Sequence, residues 1–166
     1  METIIQQLEE TIGSSDKIYD MDRIRDAIQL AIDAHNGQLR RSGEEYVCHP
    51  LHVALILVEI GMDSDAVVAA LLHDVVEDTA YTFDFLLEEG FPVHIVDALR
   101  CLTKLSEEEP YESFIQRVKT NPLAIAVKIN DLTDNMDIRR LQDITDSDVK
   151  RLRKYLRAYQ ELTSQQ

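Results

Sequence analysis

Residues 69–79 constrain this chain more than any other stretch. They read Ala69-Ala70-Leu71-Leu72-His73-Asp74-Val75-Val76-Glu77-Asp78-Thr79. An apolar run rich in helix formers leads straight into four side chains that carry ligand or acid–base chemistry. A continuous helix from about residue 65 through this stretch sets His73 and Glu77 four residues apart on one ridge, and Asp74 and Asp78 on the next. The two ridges lie about 100° apart around the axis. His73 and Asp74 then converge on one cation from a single turn, with Glu77 and Asp78 one turn further on. Val67, Val68, Leu71, Leu72, Val75 and Val76 require this helix to be mostly buried, and buried charges must be paired or bound to metal. The plain alternative is a helix that passes from buried to exposed and ends in a solvated acidic turn.

The rest of the chain is helical by the same kind of reading. Ile4, Ile5, Leu8 and Ile12 recur at helical spacing over 2–12, a short docking helix stopped by Gly13-Ser14-Ser15. Residues 19–35 form a longer amphipathic helix that ends at His35-Asn36-Gly37. A turn-rich segment over 38–49 precedes a helix over 50–60, with Pro50 in its first turn and Gly61 past its end. Asp63 or Ser64 caps the central helix. Short helices follow over 82–89, 92–101 and 111–119, with a polar acidic loop over 104–110. Asn121-Pro122 opens another apolar helix, and Asp146 or Ser147 caps a last one to about 162. No strand pattern, repeat or linker interrupts the series. The expectation is one all-α, single-domain helical bundle over 1–166, with its core at about 20–160.

Of 166 residues, 31 are Asp or Glu and 17 Lys or Arg, a formal charge of −14. That balance argues against a nucleic-acid partner, which requires a basic surface, and against a broad anionic membrane contact. A small anionic substrate fits only where cations are concentrated locally, and Arg40-Arg41 is the one compact basic spot in the first half. No apolar run is long enough to cross a bilayer, and no basic start precedes an apolar stretch at the N-terminus. Cys48 and Cys101 form no C-x-x-C motif and read as reduced residues, which points to the cytoplasm. No oligomeric state follows from the sequence.

His49, the pair His73 and Asp74, and Asp131 stand at or near the ends of separate apolar helices, where side chains can meet in a central cleft. Such a His/His/Asp/Asp set suits Mn²⁺, Fe²⁺, Zn²⁺ or Mg²⁺ better than a thiolate metal. Lys128 either snorkels from a buried helix or meets a phosphate. His35 caps its helix or supports the site. His52 and His94 read as peripheral, and Tyr155 with Tyr159 as a packing pair.

The order His49, His73-Asp74, Asp131 resembles the HD superfamily of metal-dependent phosphohydrolases. Residues 34–43 (AHNGQLRRSG), Tyr46, His49-Pro50-Leu51, 69–79, Val127-Lys128-Ile129-Asn130-Asp131 and Asn135-Met136 resemble the hydrolase domain of the RelA/SpoT family, over about residues 20–160. That family removes the 3′-pyrophosphate of (p)ppGpp. The resemblance implies His49, His73, Asp74 and Asp131 as ligands of a divalent metal, usually Mn²⁺. It implies Glu77 and Asp78 as the pair that activates water. Arg40, Arg41 and Asn135 match nucleotide-binding positions, and Lys128 joins them. No synthetase segment follows residue 166, so the expectation is a small stand-alone hydrolase. Leu132 and Asp134 depart from the family's Arg and His, which removes a cation and adds an anion beside the expected ligand. Another nucleotide, such as a 2′- or 3′-phosphorylated cofactor like NADPH, and a non-catalytic nucleotide sensor are the competing readings.

Overall fold

A computed structural model describes residues 1–164. Its order is α1 (Glu2–Gly13), α2 (Met21–Ala34), α3 (Cys48–Glu59), α4 (Ser64–Leu72), α5 (Val75–Asp78), α6 (Phe83–Glu88), α7 (Val93–Leu102), α8 (Tyr111–Val118), α9 (Pro122–Asn135), a 3₁₀ turn (Ile138–Arg140) and α10 (Asp146–Thr163). Among the described residues there is no strand, only one isolated bridge between Leu39 and Glu45.

Side-chain caps explain most of the starts. Asp20 accepts from the Arg23 N–H, Asp63 from Ala66, and Thr82 from Phe85. Asn121 accepts from Leu123 and Ala124, with Pro122 just inside the helix. The last helix is capped one residue before Asp146, the earlier of the two expected caps. Thr145 accepts from the Asp148 N–H while Asp148 reaches back to Thr145, a reciprocal pair that Asp146 or Ser147 could not form from their positions. The third helix starts at Cys48 rather than residue 50, which keeps Pro50 in the first turn. Gly37 at φ 77° and Gly61 at φ 75° supply the left-handed residues past α2 and α3.

The centre of the molecule is α4. Every residue from Ala66 to Leu72 is fully buried, and the helix is packed by α2, α3, α7 and α9. A helix apolar on all sides is stable only when wrapped in this way. Burying Leu71 and Leu72 contributes about 1.5–3 kcal/mol each. Helix α1 lies on α3, and α10 lies on α9.

The expected continuous helix from residue 65 to 79 does not form. It breaks at His73 and Asp74, where Asp74 adopts φ −101° and ψ −5°, between α4 and the single turn of α5. His73 Nδ1 bonds the Ala70 carbonyl at 2.7 Å, and Tyr46 Oη donates to Asp74 Oδ2 at 2.7 Å. Side-chain bonds to nearby backbone compete with the helical ladder. The break turns both side chains toward the space between α3, α4 and α9.

Candidate metal centre

His49 comes from the first turn of α3, His73 and Asp74 from the α4–α5 break, and Asp131 from the last turns of α9. Their donor atoms meet. Asp131 Oδ1 lies 3.0 Å from His49 Nε2 and 3.6 Å from His73 Nε2. Asp74 Oδ2 lies 3.6 Å from His49 Nε2 and 3.1 Å from His73 Nε2. His49, His73 and Asp74 each bring one donor within 4.8 Å of the others, and Asp131 approaches both imidazoles. Ligands about 2.1 Å from a metal sit roughly 3.0–3.4 Å apart, close to these edges.

Both histidines are oriented from behind. The Ala70 carbonyl can only accept, so His73 Nδ1 donates to it and Nε2 is turned toward Asp74 and Asp131. That Nε2 is buried and has no hydrogen-bond partner. His49 Nδ1 lies 2.6 Å from Asp134 Oδ2. Burial pushes the Asp134 carboxyl up, but hydrogen bonds from His49 and Arg140 outweigh it and hold the group well below the usual carboxylate range. An ionised Asp134 keeps the His49 proton on Nδ1 and frees Nε2. Ligating histidines are commonly held in this manner, so the residues present fit a divalent cation. Asp131 is also held below its ordinary range: burial opposes this, and Lys128 at 2.6 Å outweighs it.

The remaining expected residues line two adjoining spaces. The cleft over these side chains, about 220 Å³, is bordered by Glu77, Asp78, Lys104, Lys128 and Asn135. Glu77 is steadied by the Lys104 backbone N–H at 3.0 Å. Burial, then the neighbouring Asp74, raises Asp78 above its ordinary value. Asn135 donates to Asp131 Oδ1 at 2.5 Å, and Lys128 lies over the Phe114 ring as well as beside Asp131. The second space, about 230 Å³, holds Arg40, Arg41, Arg140 and Arg151, and shares Tyr46 and Asn135 with the cleft. Neither arginine of the 40–41 pair is unpaired. Arg40 Nη1 bonds Asp134 at 2.9 Å and Arg41 bonds Asp148.

Asp134 therefore does not stand as a bare anion beside the cleft. Arg40 and Arg140 both bond it, and Leu132 is fully buried in the core. Sequence reasoning missed this role of Asp134, because the compensating arginines lie 94 residues before it and 6 after it. It also missed Tyr155, which packs on Tyr111 and lines the cleft rather than serving only as a partner of Tyr159. His94 is peripheral, paired with Asp65, and His35 stacks on Tyr46 behind the cleft.

An all-α bundle with a His/His/Asp/Asp centre at the meeting of three helices defines a class of metal-binding domain. The sequence model of the HD domain matches residues 27–162, and the chain belongs to that family, which implies a divalent metal. The chain is 35% identical over 142 residues to the bifunctional (p)ppGpp synthase/hydrolase SpoT of Escherichia coli K12, covering 80% of this chain and 20% of that protein. It is 43% identical over 116 residues to the guanosine-3′,5′-bis(diphosphate) 3′-pyrophosphohydrolase of Haemophilus influenzae, covering 64% and 17%. The chain thus spans a fifth or less of the length of these relatives. A solved structure described as a metazoan ortholog of SpoT that hydrolyses ppGpp and plays a role in starvation responses matches with a TM-score of 0.74 at 25% identity, over 88% of both chains. Among the described residues, no helix is long and apolar enough to cross a membrane.

Proposed function

We propose that this chain is a single-domain, cytoplasmic, metal-dependent phosphohydrolase that removes the 3′-pyrophosphate of a guanosine alarmone, (p)ppGpp, leaving GDP or GTP. The observation that carries this reading is the grouping of the His49, His73 and Asp74 donors, with Asp131 against both imidazoles. The activities named for the SpoT, H. influenzae and metazoan proteins support the substrate.

The mixed nitrogen and oxygen donors suit Mn²⁺. The bound cation supplies Lewis acidity at the phosphate. Everything else falls to side chains of the cleft. Glu77 and Asp78 orient a water and take its proton. The water oxygen bonds the phosphorus next to the ribose, the bond from that phosphorus to the 3′-oxygen breaks, and the 3′-oxygen gains a proton as pyrophosphate leaves. The recess of Arg40 and Arg41 takes the nucleoside, and Asn135, shared by recess and cleft, bridges to the phosphates. Lys128 offers charge beside Asp131.

The test combines metal analysis with turnover. Protein purified without chelator carries about one equivalent of metal, as a mononuclear site demands, and His73→Ala loses it. Glu77→Ala and Asp78→Ala keep the metal and lose about 10²–10⁴-fold in turnover of ppGpp, the scale of a general acid or base. Metal retained in His73→Ala overturns the centre. A wild type that leaves ppGpp intact but turns over NADPH or another nucleotide overturns the substrate while keeping the chemistry.

A further inference from the structure

Five of the 17 Lys and Arg residues make no ion pair among the described residues: Lys17, Lys150, Arg153, Lys154 and Arg157. Lys17 rests on the Gly61 carbonyl. The other four all lie on α10, at positions i, i+3, i+4 and i+7 of one face. The chain has 31 acidic residues, yet these four neighbouring cations form no ion pair with any of them among the described residues. Like charges at these spacings repel and cost helix stability. No acidic residue occurs between Asp148 and Glu161; Asp146 and Glu161 flank the run at i, i+4 from Lys150 and Arg157 but form no ion pair with it.

The face borders a groove of about 350 Å³ between α8 and α10, floored by Tyr111, Ile115 and Ala158. Its two carboxylates do not neutralise it. Glu161 is taken by Lys119 and Gln116, which leaves Glu112. Lys154 and Tyr111 line both this groove and the metal cleft, so the two spaces join. The Lys154 ammonium lies 4.5 Å from the Tyr111 ring centroid and 5.2 Å from that of Tyr155. Aromatic faces hold a cation in place without cancelling its charge.

We propose that the α8–α10 groove is a binding site for a phosphate chain, held by Lys150, Arg153, Lys154 and Arg157 and opening into the metal cleft at Lys154. A row of ammonium and guanidinium groups on an apolar floor fits linked phosphates better than a single one, because each phosphoryl group finds its own donor. The chain is either the 5′-phosphates of a nucleotide whose 3′ end is in the cleft or a separate polyphosphate compound. Only the first source rests on the function proposed above.

The probe is inorganic tripolyphosphate, titrated calorimetrically into the whole chain as purified. The wild type binds it. Replacing Lys150, Arg153 and Arg157 together by Gln weakens binding by about tenfold or more, as loss of several charge-assisted bonds requires. These side chains are exposed, and the variant keeps the metal cleft intact. A control with Arg25, Arg100 and Arg139 changed to Gln removes the same charge elsewhere and leaves binding within about twofold, since distant exposed charges are screened. Acylation of Lys150 and Lys154, mapped by mass spectrometry, slows with tripolyphosphate while Lys17 does not. Undetectable binding in the wild type, or equal weakening in both variants, overturns the site. Competition by tripolyphosphate against ppGpp, with KM raised in the groove variant, assigns the chain to the substrate's own 5′-phosphates. Binding without competition assigns it to a separate ligand. Binding by a protein that leaves ppGpp intact keeps the groove and overturns only the substrate reading.

Discussion

The two basic clusters of this molecule differ in what surrounds them. Arg40 and Arg41 meet carboxylates delivered from 94 and 107 residues away, Asp134 and Asp148. The cations of α10 at 150, 153, 154 and 157 meet none among the described residues. Both border the cleft region. The first cluster is part of a compensated polar network that orients His49, and any ligand it takes must compete with internal partners. The second has its charge available. A basic stretch in a sequence reports charge but not availability, because availability is decided by which acidic side chains the fold brings alongside.

The strongest way to break this contrast is Asp134→Ala. Asp134 is 6% exposed and receives His49, Arg40 and Arg140. Removing it takes the closest carboxylate from two guanidinium groups in a mostly buried place, leaving Arg40 only Glu44 at 4.0 Å and Arg140 only a backbone carbonyl, and breaking such a pair costs about 3–5 kcal/mol. The urea midpoint should fall accordingly, and Asp134→Asn, which keeps an acceptor, should cost less. Metal affinity should fall with it, because nothing then fixes the His49 tautomer. A midpoint unchanged in Asp134→Ala would mean that the Arg40 cluster is as uncompensated as α10.

Much of this was legible in the sequence, and for definable reasons. Periodicity and capping residues such as Asp63 and Asn121 report local hydrogen bonding, so helix positions came within a residue or two. His49, His73, Asp74 and Asp131 could be picked out by their order and their resemblance to a known family, and the structure brings His49, His73 and Asp74 within 4.8 Å of one another with Asp131 against both imidazoles. The break at His73 was not legible, because it depends on Tyr46 reaching Asp74 across 28 residues and on a side-chain bond to Ala70. Nor was the compensation of Asp134. A His-to-Asp departure reads as an added anion until Arg40 and Arg140 are seen bonding it. The cations of 150–157 drew no reading from the sequence, because their meaning requires α10 to lie against α8 beside the cleft.

A smaller effect sharpens the compensated side of the comparison. Arg117 bonds Glu109 and the Thr103 carbonyl, closing the loop over 103–110 that carries Lys104 to Glu77. The Arg117 hydrogen bonds hold the Glu109 carboxyl below its ordinary range. A depressed carboxyl contributes stability above its unfolded value, about 4.3, and that contribution is lost as pH falls through the folded value. Glu109→Gln should therefore lower stability at pH 7 and approach wild type below about pH 4. Denaturant midpoints for both proteins across pH 3–8 measure this. Parallel curves over the whole range would show that the pair contributes no linkage.

The smallest expected effect is the most discriminating, because its sign is opposite. Lys150 and Lys154, and Arg153 and Arg157, are i, i+4 pairs of like charge, with Lys150–Arg153 and Lys154–Arg157 at i, i+3. Such pairs each destabilise a helix by about 0.2–0.5 kcal/mol. Gln is a helix former close to Lys and Arg, so changing 150, 153 and 157 to Gln removes repulsion at little intrinsic cost. The variant should be slightly more stable than wild type at low ionic strength, and the gain should fade near 1 M salt, where the screening length is about 3 Å. Urea midpoints at low and high salt make the comparison. A stabilised variant that has lost tripolyphosphate binding is the signature of charge retained for a ligand at the expense of the fold. A variant less stable at low salt would mean that these cations have partners in solution, and the contrast with Arg40 and Arg41 would disappear.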